Sequence, residues 1–299
     1  MFSLIPHKTN FDFVGKRYIG FTISTALVAL GLYAIALLAL GHAKLGVDFG
    51  GGSNLTLTLK GAADVPALRQ ALGADFAKAD IQKVEGSNQF LLRVPGEAGD
   101  SLSAEVKEAV AKGMPGNAVV ELDVEFVGPA VSKQLWQGAI WAMAVSLFGI
   151  MLYIAFRFDT RFGVGALVAT LHDVLAVLGI MVVFGHEFSL LVVTALLTLA
   201  GYSLTDTVVV FDRIRENLKA RRTEPMEKVV NDSINETLSR TINTSMTFLI
   251  TVGVLYFMVH VVRDMALALI LGVIVGTYSS IFVASPVVVE WNLRSPAKR

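Results

Sequence analysis

The chain has 299 residues, of which 54% are hydrophobic and only 17% charged, and its formal net charge is zero. Soluble domains carry about 25% charged residues, so this composition, with a mean hydropathy of +0.62, points to a membrane protein. Neutrality gives no global field for nucleic acid, and the lack of cysteine excludes disulfides, thiol catalysis and thiolate metal sites.

In chain order, residues 1–17 are expected to form a cytoplasmic N-terminal tail, and the first apolar run covers 18–40. A signal-peptide core is about 7–15 residues long. This run is longer and predicts an uncleaved span at 18–41. Residues 42–133 then read as a water-soluble insert. The alternation LTLTL predicts a strand over 47–59. A helix follows over 64–71, with Asp64 as N-cap and Pro66 in its first turn. Strands over 81–85 and 89–94 are joined by Gly86-Ser87-Asn88, a hairpin signal. A second helix covers 101–112 with a capping pattern opening at Ser101, and 119–127 alternates again. The order β-α-β-β-α-β is that of a split βαβ, ferredoxin-like unit. The unit hosts many functions, and its acidic residues read as a solvated surface.

Five more apolar runs follow within 134–291, at 135–156, 162–184, 190–211, 241–259 and 265–289. Each is close to the ~20 residues needed to span a bilayer. Between the fourth and fifth spans, 212–240 is polar and of mixed charge. It reads either as an amphipathic helix lying on the membrane or as a plain loop. Residues 292–299 form a C-terminal tail. The expected fold is an α-helical membrane protein of six transmembrane helices, with an extracytoplasmic ferredoxin-like α+β domain inserted between the first and second.

Lys and Arg in short flanking segments orient such a chain. One side carries Lys8, Lys16 and Arg17, then Arg157 and Arg161, seven residues within 212–240, and Arg294, Lys298 and Arg299. The short loops on the other side carry only Arg263. Both termini are therefore expected in the cytoplasm. No internal repeat is visible of the kind that completes an inverted-repeat transporter, which suggests half of a larger assembly.

Ionisable residues within spans are functional candidates by default. Here they are His172 and Asp173 in the third span and Asp206 in the fourth, with Arg240 entering the fifth. Asp173 shares a stripe with Ala166, Ala169 and Ala176, small residues that admit a neighbouring helix. Its bland reading is a structural hydrogen bond. Thr194, Thr198, Tyr202 and Thr205 form a polar stripe on the fourth span, with Ser203 and Asp206 beside it. Arg240, Thr244, Thr247 and Thr251 form another on the fifth. Two such stripes escape lipid by facing each other. Counting ~1.5 Å per residue from the span edges matches Asp206 in depth to Arg240 better than to Asp173. Burial and a nearby guanidinium act oppositely on a carboxyl, so moving Asp206 relative to Arg240 changes its proton affinity. Gly272 and Gly276 form a GxxxG helix-packing pattern. No metal, cofactor or enzymatic constellation is read. An intramembrane aspartyl protease, which needs its two acids level, fits the same depths poorly.

The stretches NFDFVGKRY, GVDFGGGSNL, LHDV, GYSLTDTVVVFDRIREN, LSRTINTS and GTYSSIFVASPVVVEW together resemble the SecD/SecF family of protein-translocase subunits, within the RND-like transporters. The resemblance implies a SecD partner beside the SecYEG channel, with YajC and YidC as further contacts, and a secreted polypeptide as substrate. It implies use of the proton gradient in the bacterial inner membrane. The family's intramembrane acid in GYSxxDT falls on Asp206, and its functional arginine falls on Arg240. The competing expectation is a half-size RND-type exporter of lipids or small molecules.

Overall fold

In a computed structural model, residues 9–294 are described, apart from 78, 85, 97 and 98. Glu85 of the expected second strand, and Lys8, Lys298 and Arg299 of the charge count, lie outside the described residues. The chain divides into two compact units, one of 45–140 with 188–190 and one of the remaining helices.

The smaller unit opens on α1 outside it: α1 (Arg17–Ala39) belongs to the helical unit. A single helical turn, α2 (Val47–Gly50), then precedes β1 (Gly52–Leu59). The strand thus begins five residues later than expected. Gly51 and Gly52, with φ of +71° and +125°, make the corner, a conformation that side chains with a Cβ avoid. A Cβ on Gly52 meets the Val94 carbonyl oxygen at 2.5 Å. Gly52→Ala is therefore expected to cost about 1–3 kcal/mol, read as a lower Tm for this unit.

Next come α3 (Val65–Leu72), β2 (Asp80–Lys83), β3 (Gln89–Val94), α4 (Gly99–Gly113) and β4 (Val119–Val127). Asp64 caps α3, its Oδ1 accepting from the Ala67 amide at 2.9 Å. The α4 helix starts at Gly99, so Ser101 lies inside its first turn and not at the cap position. The sheet order is β2-β3-β1-β4 with every neighbouring pair antiparallel, as a split βαβ pair of motifs requires. Leu55, Leu57 and Leu59 point to the helices and are buried with Leu68, Leu102 and Val106. Intervening Thr56 and Thr58 face outward, which is why the strand alternates.

The stretch GVDFGGGSNL also serves as an anchor. Phe49 stacks on Phe188 with centroids 5.3 Å apart and on Trp136 at 4.6 Å. Asp48 Oδ2 accepts from the Leu190 amide at 2.9 Å, and the Phe49 carbonyl accepts from Ser132 Oγ at 2.7 Å.

The helical unit contains α1, most of α5 (Pro129–Arg157), α6 (Thr160–Val183), α7 (Leu190–Ala220), α8 (Met226–Met258), α9 (Arg263–Ser279) and α10 (Ser285–Arg294). A π-helical stretch, Ser280–Ala284, joins the last two, so they form one continuous crossing. Among the described residues, six helices are long and apolar enough to cross a membrane. Of these, α1 and α6 pack backbone to backbone. A Cβ on Gly31 meets the Leu175 carbonyl at 2.4 Å, and one on Gly179 meets the Gly31 amide at 2.7 Å.

The polar segment 212–240 is neither a separate amphipathic helix nor a loop. It is the continuation of α7 and α8 past the apolar runs, turned at residues 221–225. Salt bridges hold this hairpin: Arg213 Nε to Glu236 at 2.5 Å and Arg221 Nη1 to Asp232 at 2.8 Å. Asn217 adds bonds to Ser233 and Glu236. In the turn, a hydrogen bond from Lys228 holds the Glu224 carboxyl below the usual carboxylate range.

The N-terminal stretch NFDFVGKRY lies along α8. Asn231 Oδ1 accepts from the Phe13 amide at 2.8 Å, and Asn235 Oδ1 accepts from the Phe11 amide at 2.8 Å. Both Asn amides donate to the Phe11 carbonyl. The two asparagines, four residues apart on one helix face, thus take the place of a neighbouring strand. Asn231→Ala with Asn235→Ala removes these bonds, each worth about 1 kcal/mol. Chymotrypsin is expected to cut at Phe11 and Phe13 about tenfold faster, with membrane insertion unchanged.

Candidate functional site

Polar groups meet in the middle of the helical unit, where α6, α7 and the α9–π junction converge. Asp173 on α6 is completely buried. Its Oδ1 pairs with His172 Nδ1 at 2.9 Å, and its Oδ2 accepts from Ser279 Oγ at 2.8 Å and from Ser203 Oγ. The small-residue stripe of α6 explains the close approach: Ala166, Ala169 and Ala176 are buried beside it. His172 is equally enclosed, and its Nε2 has no hydrogen-bond partner among the described residues.

Asp206 on α7 is only half-buried. Its Oδ2 accepts from Ser280 Oγ at 2.7 Å. Ser279 and Ser280 are consecutive, so one point on the last crossing touches both acids. The π stretch begins there. Ser285 Oγ donates to the Ser280 carbonyl at 2.8 Å, supporting the wide turn, in which hydrogen bonds run i to i+5. Each serine hydroxyl has one proton. Ser280 Oγ also lies 3.1 Å from the Thr277 carbonyl and Ser279 Oγ 3.1 Å from that of Gly276. Each proton therefore has two alternative acceptors, a carboxylate and a backbone carbonyl.

The glycines permit this convergence. A Cβ on Gly276 meets Ser203 at 3.2 Å and sits 3.7 Å from Asp173 Oδ2, while one on Gly272 meets Leu199 at 2.6 Å. The GxxxG face of α9 therefore lies against α7 at the height of the acids.

The expected nearness of Asp206 to Arg240 takes the form of a through-space charge interaction, which ranks ahead of that with Asp173, and not of a direct ion pair. Arg240 is exposed and makes no ion pair among the described residues. The next residue, buried Thr241, lies on the Asp206 side of α8. One residue turns a helix by about 100°, which carries Arg240 to another face. Thr241 Oγ1 itself makes no hydrogen bond of acceptable geometry. The acids are bridged through adjacent serines and share no direct hydrogen bond.

The facing threonine stripes are also corrected. Thr194, Thr198, Thr205, Thr244, Thr247 and Thr251 are all exposed. Thr198, Thr205, Thr244, Thr247 and Thr251 each donate to the carbonyl four residues earlier in their own helix. That bond satisfies a hydroxyl without a partner helix. Only Tyr202 turns to α8, its ring 4.5 Å from that of Phe248, and Ser245 reaches on to Thr277 at 2.7 Å. Ser279, Ser280 and Thr241 were missed. The signal available was the Ser-Ser pair in GTYSSIFVASP, two hydroxyls in an otherwise apolar run.

Six long apolar helices, an inserted ferredoxin-like unit and acids joined through serines define a polytopic membrane protein with a polar centre. The family model for "Protein export membrane protein SecD/SecF, C-terminal" matches residues 106–294. The protein translocase subunit SecF of Thermodesulfovibrio yellowstonii is 43% identical over 98% of both chains. That of Calditerrivibrio nitroreducens is 40% identical over 99% of this chain and 98% of its own. The crystal structure of SecDF from Thermus thermophilus, described as a translocon-associated membrane protein, matches with a TM-score of 0.81 at 37% identity. The match covers 97% of this chain and 40% of that one, so the chain spans about two-fifths of the SecDF length. The chain belongs to the SecD/SecF family of protein-export membrane proteins.

Proposed function

We propose that this protein is an accessory subunit of Sec-dependent protein export, pairing with a SecD subunit beside the SecYEG channel and drawing on the proton motive force. The single observation carrying the coupling is Asp206: a half-buried carboxylate in a membrane-spanning helix, held by one serine on a π-helical stretch. Asp173 has both oxygens occupied and no exposure, which suits a structural anchor. Asp206 keeps room for water and can exchange a proton. Ser280 can follow that exchange by turning its hydroxyl between the carboxylate and the Thr277 carbonyl, a change felt directly in the π stretch. Arg240 acts on Asp206 through space, and a rotation or shift of α8 changes that interaction.

The exposed threonine faces of α7 and α8 fit a missing partner, since relatives in which SecD and SecF share one chain exist. The charge distribution supports cytoplasmic termini and an external ferredoxin-like unit in the bacterial inner membrane, where that unit meets the secreted polypeptide. YajC and YidC follow from family context alone. No relative favours a half-size lipid or small-molecule exporter. The test is export into inside-out vesicles holding SecYEG, SecD and this chain, under imposed proton or sodium gradients. Export indifferent to both gradients would sink the coupling, and failure to copurify with SecD would sink the pairing.

A further inference from the structure

A second polar concentration lies away from the acids, at the end of the helical unit where α6 begins and α7 ends. A cavity of about 240 Å³ opens there. Four cations line it: Arg161, Arg215, Lys219 and Arg222, against one carboxylate, Asp159. Asp159 is already engaged as the N-cap of α6, its Oδ1 accepting from the Thr160 amide at 2.8 Å. Arg161 donates to Asn292, a neutral partner, at 2.8 Å. The nearby acids of α7 are committed elsewhere, Asp212 to Arg157 and Glu216 to Arg213. Arg215 and Lys219 sit four residues apart on one helix face and have no ion pair among the described residues. The floor is apolar, formed by Phe162, Met226 and Val288, all buried.

We propose that this cavity binds the phosphodiester headgroup of an anionic phospholipid. Arg215 and Lys219, without an ion pair among the described residues, stand above an apolar floor at the end of membrane-spanning helices and suit a ligand that is anionic at one end and apolar at the other. Basic pockets between transmembrane helices bind such headgroups. Arg215 supplies a planar fork to two phosphate oxygens and Lys219 a point charge. The volume admits a phosphate and glycerol, with the first acyl carbons over Phe162 and Val288. Phosphatidylethanolamine brings an ammonium that the four cations repel, so an acidic lipid is preferred. The site is independent of ion coupling at Asp206.

Native mass spectrometry of the full chain tests this, with phosphatidylglycerol or phosphatidylethanolamine added at equal concentration. Phosphatidylglycerol is expected to be retained in preference. Arg215→Gln/Lys219→Gln is expected to weaken that retention roughly thirtyfold. The charge-preserving exchange Arg215→Lys/Lys219→Arg retains it. Lys16→Gln/Lys228→Gln, which removes equal charge outside the cavity, also retains it. Both positions in the cavity are at the surface and Gln is a good helix former, so an unchanged lipid-free melting temperature establishes folding. Equal losses in the two neutralised pairs would mean diffuse surface attraction and overturn the site. Equal retention of both lipids would overturn it as well. Displacement of the lipid by millimolar inorganic phosphate would identify a soluble phosphate as the occupant and refute the lipid assignment.

Discussion

Asp206→Asn is expected to reduce gradient-driven export to the level seen without a gradient, while the protein inserts, folds and pairs normally. The amide keeps an oxygen for the Ser280 hydroxyl, 2.7 Å away in the parent, so the last crossing keeps its bond. Arg240 forms no ion pair with Asp206, so no cation is stranded. What disappears is the exchangeable proton. One charge crossing 100 mV is worth about 2.3 kcal/mol, or roughly fiftyfold in an equilibrium. The gradient-dependent increment, measured in vesicles with ATP-driven export as the internal reference, should fall by that order. Ser280→Ala is the companion: it leaves the acid in place but uncouples it from the π stretch, and an intermediate loss is expected. A fully coupled Asp206→Asn protein would remove Asp206 from the mechanism.

The second large effect is on stability. Asp173→Ala strips three partners at once, Ser203, Ser279 and His172, inside a site with no water-exposed surface. A buried polar group left unpaired costs about 1–3 kcal/mol, and the cavity left behind adds to that. A loss of about 3–5 kcal/mol is expected, seen as a markedly lower melting temperature in detergent and reduced accumulation in the membrane. Asp173→Asn should be much milder. Its carbonyl oxygen can accept from both serines, and its amide can donate to His172 Nδ1 in the other tautomer. Ala and Asn variants of equal stability would show that this network contributes little to the fold.

Much of the candidate site was visible along the chain. Asp173 and Asp206 stood out because charge is costly in lipid, and Gly272 and Gly276 because small residues let backbones approach. The ferredoxin-like order followed from alternation and turn residues, with local errors at the helical turn of 47–50, where the glycine corner at Gly51 and Gly52 decided matters, and at the start of α4, two residues earlier than expected. The choice of partners was less legible. Depth counting from the span edges paired Asp206 with Arg240, whose charge does reach that acid, but rotation about the α8 axis, which hydropathy does not register, leaves them without a direct contact. Threonine stripes looked like surfaces seeking each other, but a threonine can satisfy its hydroxyl on the preceding turn of its own helix.

The sequence by itself determined the membrane class, the six crossings, the inserted α+β unit and which residues are costly enough in lipid to matter, because hydropathy, periodicity and turn chemistry act locally. Only the tertiary structure decided that Asp173 and Asp206 are joined through Ser279 and Ser280, and that Arg240 meets Asp206 through space and not in a direct ion pair. It likewise placed two asparagines of α8 along the irregular N-terminal segment. Those outcomes depend on where helices cross and how each is rotated. The π stretch at Ser280–Ala284 has the same kind of effect on α10: its wider turn shifts the faces of every residue after it, a rotation that a 3.6-residue period read along the chain does not register.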